Sequence, residues 1–247
     1  MIDIIIPITN KCPNLKQTLL SLLLQSIKDN LNIIILSTKQ QKKHKELIDL
    51  FSSKLKITYI VDPNKTLDEL KNHSLSITNN EYIIFIDENT YLYDAFSINN
   101  LYSQLINDNT EFIIGNTVNL ENNNYINTFS IYDNSNNKIY KKEYLNKHNI
   151  NYENDLLFTI KTYLYSTIYS YSDSITSVNI NNKEILDKKI IKNIIETIKQ
   201  LPNTIDKNSI KEFINRITKN TTEKWLNSNT QYSNILKELE KLYYEYN

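Results

Sequence analysis

Ile2 to Ile8 is a largely apolar, β-branched run interrupted only by Asp3 and closed by Pro7, and no second hydrophobic period runs through it. A run of that kind reads as a strand buried on both faces, the type found in parallel sheets. It demands a crossover helix. Leu15, Leu19, Leu20, Leu22, Leu23, Leu24 and Ile27 form a broad apolar stripe at helical spacing with Asn30 as its stop, and Asn32 to Leu36 is a second buried strand. The chain therefore opens as β-α-β.

The alternation continues. Lys42 to Leu55 carries Leu47, Ile48, Leu50 and Phe51 as an inward helical face, and Lys56 to Val61 is a third strand ended by Asp62-Pro63. Thr66 with Glu69 three residues on is a capping box that starts a helix to Ile77, and Glu81 to Ile86 is a fourth strand. Strands and helices alternating at these lengths predict a mostly parallel sheet wound by right-handed crossovers and flanked by helices. Further on, Ala95 to Ile106 reads as helix, Glu111 to Val118 as strand, and Leu120 to Asn137 as an Asn-rich meander. Lys138 to Lys147 follows as a short strand and helix, Asp155 to Ser166 as helix, and Ile168 to Tyr171 as a last short strand. From Lys183 the pattern is purely helical, so 1–182 reads as one α/β domain and 183–247 as a helical C-terminal extension.

Composition removes several function classes. Lys+Arg and Asp+Glu are both 28, so no net field draws the chain onto nucleic acid or an anionic membrane, and Arg216 is the one arginine among the basic residues. A single glycine, Gly115, excludes glycine-rich phosphate loops of the dinucleotide and Walker types. Any phosphate must be held by a metal, by lysines or by a helix N-terminus. The one cysteine, Cys12, excludes an intrachain disulfide and reads as a small hydrophobe in a reducing compartment. The apolar run Ile4–Ile6 has no basic leader and is too short to span a membrane, so a cytoplasmic location is expected. His44, His73 and His148 have no metal-ligand spacing and are expected at the surface.

Ligands of open α/β sheets sit beyond the carboxyl ends of the strands. Those ends carry Thr9-Asn10, Ser37-Thr38, Asp62-Asn64 and Asp87-Glu88-Asn89, of which the last is rich in oxygen suited to Mg²⁺ or Mn²⁺. The same residue types also suit ordinary turns. Lys71 could face a diphosphate or stand in solvent, and Asp155 opens a helix, where a carboxylate is held ionised. The tail tyrosines Tyr243, Tyr244 and Tyr246 suit packing against the main domain or a partner better than sugar stacking.

IDIIIPITN at Ile2–Asn10 followed by LKQTLLSLLLQS at Leu15–Ser26, Lys71-Asn72 ahead of EYIIFIDEN, and NKIYKKEYLNKHNINYENDLLF from Asn137 stand in the order found in family 2 glycosyltransferases. The three blocks cover roughly residues 1 to 175. They resemble that family's bacterial surface-glycan members. Such a resemblance implies a GT-A fold, a nucleotide-sugar donor with a UDP-sugar first in line, a Mn²⁺ or Mg²⁺ ion, and inversion at the anomeric carbon. It implies transfer of a hexosyl or N-acetylhexosaminyl group to a glycan, lipid-linked or protein acceptor in polysaccharide biosynthesis.

Carried over residue by residue, the resemblance makes Asp155 the base and Asp87 with Asn89 the metal site. It puts Thr9, Asn10, Ser37, Asp62, Lys71, Asp87 and Glu88 on the donor. Asn89 stands where the family usually has Asp, Ser37-Thr38 where it has an acid, and Asn154 where it has Glu, so the metal motif is degenerate. The rival reading is a non-catalytic GT-A-fold binding or scaffold subunit in surface-polysaccharide assembly, with self-association or a partner subunit reached through the C-terminal helices. A nucleotidyltransferase would want a glycine- and Arg/Lys-rich loop after the first strand, and none is present.

Overall fold

The computed structural model describes residues 1–9, 12–121, 124–128, 135–179, 188–201, 205–227 and 233–246. In chain order the elements are β1 (Ile2–Ile8), α1 (Leu15–Leu23), β2 (Leu31–Ser37), α2 (Lys42–Ser52), β3 (Ile57–Val61), α3 (Leu67–Ile77), β4 (Tyr82–Phe85), β5 (Thr90–Leu92), α4 (Ser97–Asn107), β6 (Phe112–Glu121), β7 (Asn124–Thr128), β8 (Lys138–Lys141), α5 (Lys142–Lys147), α6 (Asp155–Tyr165), β9 (Tyr169–Asn179), α7 (Lys188–Lys199), α8 (Lys207–Asn227) and α9 (Ser233–Glu245). Two compact units result: Met1–Phe158 with Thr167–Lys183, and Thr159–Ser166 with Glu184–Asn247. The second half of α6 thus belongs with the helical tail, a membership that periodicity near residue 182 does not reveal.

The sheet runs β3-β2-β1-β4-β8-β6-β9-β5, with β7 on β6. β3, β2, β1 and β4 are parallel neighbours, as the unbroken apolar runs require. Ile4, Ile6, Ile33 and Ile35 are fully buried. Beyond β4 the sheet becomes mixed: β8 is antiparallel to both β4 and β6, while β6 and β9 are parallel. The capping box at Thr66 is present in full, with Glu69 N–H donating to the Thr66 hydroxyl at 3.2 Å and Thr66 N–H to the Glu69 carboxylate at 2.7 Å. Asp3, fully buried in β1, accepts from the side-chain amides of Asn32 (2.6 Å) and Asn80 (2.8 Å). It lies at the amino end of the strand, away from the crevice, and its work is structural.

Several expectations need correction. Leu50 is 67% exposed and Leu24 68%, so each apolar helix face is narrower than its leucine content suggests. The short strand expected at Ile168–Tyr171 runs on to Asn179, because β6 continues alongside to pair with it. A strand that periodicity does not predict, β5 (Thr90–Leu92), forms because β9 lies antiparallel to it. His44 is buried rather than exposed. Its Nδ1 has no hydrogen-bond partner among the described residues, and burial holds the imidazole below its ordinary pKa.

The lone glycine sits where β6 passes close to side chains of β9 and of the segment before β8. A Cβ on Gly115 would lie 2.2 Å from Thr176 Oγ1 and 2.4 Å from Asn137 Oδ1. Neither can swing aside freely, since the Thr176 hydroxyl donates to Asn137 Oδ1 (2.8 Å) and Asn137 Nδ2 donates to Thr117 Oγ1 (2.6 Å). Asn137, at φ 54°, also donates its N–H to Phe85 O and receives that of Gly115, tying β4 to β6 just before the strand end that carries Asp87. Gly115→Ala is expected to destabilise the protein by about 2 kcal/mol in urea unfolding. An unchanged midpoint would show that the crossing relaxes freely.

Candidate active site

Because β1 to β4 are parallel, their carboxyl ends share one edge. Thr9 follows β1, and both its N–H and its hydroxyl donate to the Glu88 carboxylate, the hydroxyl at 2.7 Å. Glu88 therefore staples the end of β1 to the loop after β4. Asn10 lies outside the described residues. Ser37, buried at the end of β2, donates its hydroxyl to Lys39 O at 2.9 Å. Asp62, after β3, accepts from Asn64 N–H at 3.0 Å and pairs with Lys65 at 3.3 Å. Ser37 and Asp62 thus serve their own turns.

The charged centre is built from α3, the loop before α6, and Ser135. Lys71 is buried, and its ammonium donates to Asp155 Oδ2 at 2.9 Å and to the Tyr152 hydroxyl at 2.7 Å. Of the two readings open for Lys71, the solvent-facing one is excluded: a buried ammonium needs a carboxylate partner, and Asp155 supplies it. The other oxygen of Asp155 accepts from Ser135 N–H at 3.1 Å, from the Ser135 hydroxyl at 2.6 Å and from the Tyr152 hydroxyl. Tyr152 is fixed by packing on Phe158 (4.9 Å between ring centroids) and Phe85 (5.3 Å), and its backbone N–H donates to Asn72 Oδ1 at 2.9 Å.

Capping of α6 falls to Asn154, whose Oδ1 accepts from Leu157 N–H at 2.8 Å. Asp155 is thereby freed from the cap and turned to Lys71.

Burial is the largest influence on Asp155 and pushes its pKa up. The Lys71 ammonium and the hydroxyls of Ser135 and Tyr152 outweigh it and hold the carboxylate below its ordinary range. Asp87, half-buried beyond β4, goes the other way. Burial raises it, Asn89 N–H at 2.9 Å offsets part of the rise, and the neighbouring Glu88 adds to it. Lys71 and Asp155 both act electrostatically on Asp87. The fold therefore brings Lys71, Asp87 and Asp155 together, while Thr9 and Glu88 form a pair beside them.

The oxygen donors at this edge can be tested against a divalent cation. Asp87 Oδ1 takes Asn89 N–H, and its Oδ2 has no hydrogen-bond partner among the described residues. Asn89 Oδ1 accepts from Asn14 Nδ2 at 3.0 Å, and Glu88 is committed to Thr9. Among the described residues no group of three His, Cys, Asp or Glu side chains is placed to hold a metal. One available carboxylate fits Mg²⁺ or Mn²⁺ in the mode in which substrate phosphates complete the shell, and does not fit a cage made by protein alone.

The family model described as "Glycosyl transferase family 2" matches residues 3–164. The chain belongs to glycosyl transferase family 2. The TarS 1–349 structure from S. aureus in complex with UDP-GlcNAc superposes with a TM-score of 0.69 at 16% identity, covering 87% of this chain and 72% of that one. The mannosyltransferase PcManGT from Pyrobaculum calidifontis, in complex with GDP-Man and Mn²⁺, superposes at 0.67 with 10% identity, over 98% of this chain and 73% of that one. At these identities the likeness is one of fold, and the fold is that of GT-A glycosyltransferases. Among curated proteins none is significantly similar in sequence.

In this family 2 glycosyltransferase Tyr152 and Ser135 are the site residues that sequence reasoning misses. Tyr152 stands three positions before Asp155 inside a quoted family block, which is a usable signal. Ser135 lies in the Asn-rich meander, where no period exists to single it out.

Replacing one partner of the Lys71–Asp155 pair leaves the other charge stranded. Lys71→Met is expected to cost about 2 kcal/mol, discounted from a fully buried pair because the Asp155 side chain is 34% exposed. The double variant K71M/D155N is expected to recover part of that loss in a double-mutant cycle. A depressed carboxylate stabilises above its unfolded-state pKa, and that contribution is lost as pH falls through its folded value. Wild-type stability is thus expected to fall in the acid range, below the ordinary carboxylate pKa, more steeply than that of Asp155→Asn. Equal slopes by urea unfolding would remove Asp155 as the cause.

Proposed function

We propose that the chain is an inverting glycosyltransferase whose donor is a nucleotide diphosphate-sugar. The observation that carries this is the Asp155 carboxylate, held below its ordinary pKa range, paired with Lys71, within electrostatic reach of Asp87 and relieved of helix capping by Asn154. In the proposed reaction the acceptor hydroxyl oxygen attacks the anomeric carbon in line. The carbon–oxygen bond to the diphosphate breaks, the electron pair leaves with the diphosphate, and the hydroxyl proton passes to Asp155.

Lys71 governs how basic Asp155 is. While paired it keeps the carboxylate a weak base. An anionic diphosphate near Asp87 draws the ammonium toward itself, and the carboxylate then gains basicity at the moment the donor is in place. Asp87 would hold a divalent cation, which when bound would supply charge neutralisation on the leaving diphosphate. Thr9, Ser37, Asp62 and Glu88 stand at the strand ends where the nucleoside would lie, and Asn10, next to Thr9 in sequence, belongs to the same proposed donor set.

A UDP-sugar is the first donor we infer, supported by the UDP-GlcNAc that TarS binds, with GDP as the comparison because PcManGT binds GDP-Man. We extend the reading to hexosyl or N-acetylhexosaminyl transfer onto a glycan, lipid-linked or protein acceptor in polysaccharide biosynthesis. The transferase function is assigned to residues 1–182, with the 183–247 helices as a surface for self-association or a partner. A cytoplasmic location accords with the single, buried, unpaired cysteine. No helix of the described residues is long and apolar enough to cross a membrane.

Calorimetric titration with UDP and GDP, each with and without Mn²⁺, tests the proposal. Cation-dependent binding of one nucleotide is expected, and Asp87→Ala is expected to abolish the cation dependence without altering the unfolding midpoint. Asp155→Asn is expected to keep nucleotide binding and to lower turnover by roughly 10²–10⁴-fold, the share of a general base. A folded protein that binds neither nucleotide would favour the non-catalytic scaffold, which the single available carboxylate already suits.

A further inference from the structure

Away from the strand ends, α3 and α5 enclose a cavity of about 690 Å³ that the reaction above does not use. Its charged side chains each have a partner. Lys65 pairs with Asp62 at 3.3 Å, Glu69 is held in the capping box, and the Lys142 ammonium donates to Thr78 O. What the cavity offers instead is amide. The side chains of Asn72, Asn146, Asn149 and Asn151 line it, each able to donate and to accept, with His73 adding to them. Behind them Ile83, Leu145 and Ile150 are buried and form an apolar floor.

A ligand matched to these amides carries hydroxyls that both donate and accept around its edge. A pyranose is such a ligand. We propose that the α3–α5 cavity is a second saccharide-binding site, which holds a sugar unit of a glycan away from the reacting hydroxyl. Its volume falls within the range of small-molecule sites. Asn72 connects it to the charged centre, since the same side chain that lines the cavity accepts the Tyr152 N–H at 2.9 Å, and the adjacent Lys71 holds Asp155. A sugar seated here bears on the residue that positions Tyr152. The choice of a saccharide over other neutral polyols rests on the transferase reading.

The test uses amide spectra of the ¹⁵N-labelled full chain, with cellobiose and N,N′-diacetylchitobiose as probes, in the absence and presence of UDP with Mn²⁺. The expected result is disaccharide-induced shifts on α3, α5 and Asn149–Asn151 that persist when UDP is bound. The double variant N146A/N151A is expected to bind the disaccharide about tenfold more weakly, with UDP-induced shifts unchanged. Both side chains are exposed, so the fold should survive the change. Unchanged disaccharide affinity in that variant overturns the site, as do disaccharide shifts confined to Asp87 and Asp155. UDP shifts without disaccharide shifts remove this site and leave the transferase standing. Disaccharide shifts on α3 and α5 in a protein that ignores UDP support the site and remove the transferase reading.

Discussion

A buried ammonium on α3 facing a carboxylate at the start of α6 is the interaction on which the rest of the site depends. Lys71 and Asp155 are 84 positions apart in sequence, and their 2.9 Å contact forms only when the parallel half of the sheet and the mixed half are both in place. Neither charge would be tolerated in that position alone. Tyr152 and Ser135 complete the arrangement by donating to the same carboxylate, and the aromatic packing of Tyr152 on Phe85 and Phe158 makes the geometry rigid. Substrate would thus meet a prearranged carboxylate whose partners were set during folding.

The strand-end motif makes sense in the same electrostatic terms. Asp87 already stands within electrostatic reach of Glu88, Lys71 and Asp155, and burial together with Glu88 pushes the pKa of its carboxyl up. A further acid at position 89 would add repulsion in the absence of a cation, whereas the amide of Asn89 accepts from Asn14 and carries no charge. Glu88, which the family pattern would place on the donor, serves the turn by holding Thr9. A cation at this edge would thus fall mainly to Asp87 and to whatever phosphate accompanied it. Fold alone does not choose a donor, and the two superposed structures illustrate that, one with UDP-GlcNAc and the other with GDP-Man.

The parallel half of the fold was legible because its strands are buried on both faces, and such runs of Ile and Leu admit few other readings. The capping box at Thr66 was legible because two side chains three residues apart define it locally. β5 and the length of β9 were not, since β5 forms by pairing with β9 and β9 is extended by pairing with β6, both across a long sequence separation. Leu24 and Leu50 misled for a related reason: helical spacing reports which residues share a face, and the neighbouring layer decides how much of that face is covered. At the site, Asp87 and Asp155 stood out by motif, but the burial of Lys71 did not, because nothing local distinguishes a paired lysine from a solvated one. Ser135 comes from a stretch without period, and its role emerges only from the contact it makes.

A crystal structure of the protein with UDP and Mn²⁺ tests the central claim most directly. The account predicts the diphosphate beside Lys71, Mn²⁺ on Asp87, the nucleoside along the ends of β1 to β3, and Asp155 facing the space left for the sugar. A nucleotide bound away from those strand ends, or Asp155 turned from the diphosphate, would contradict it.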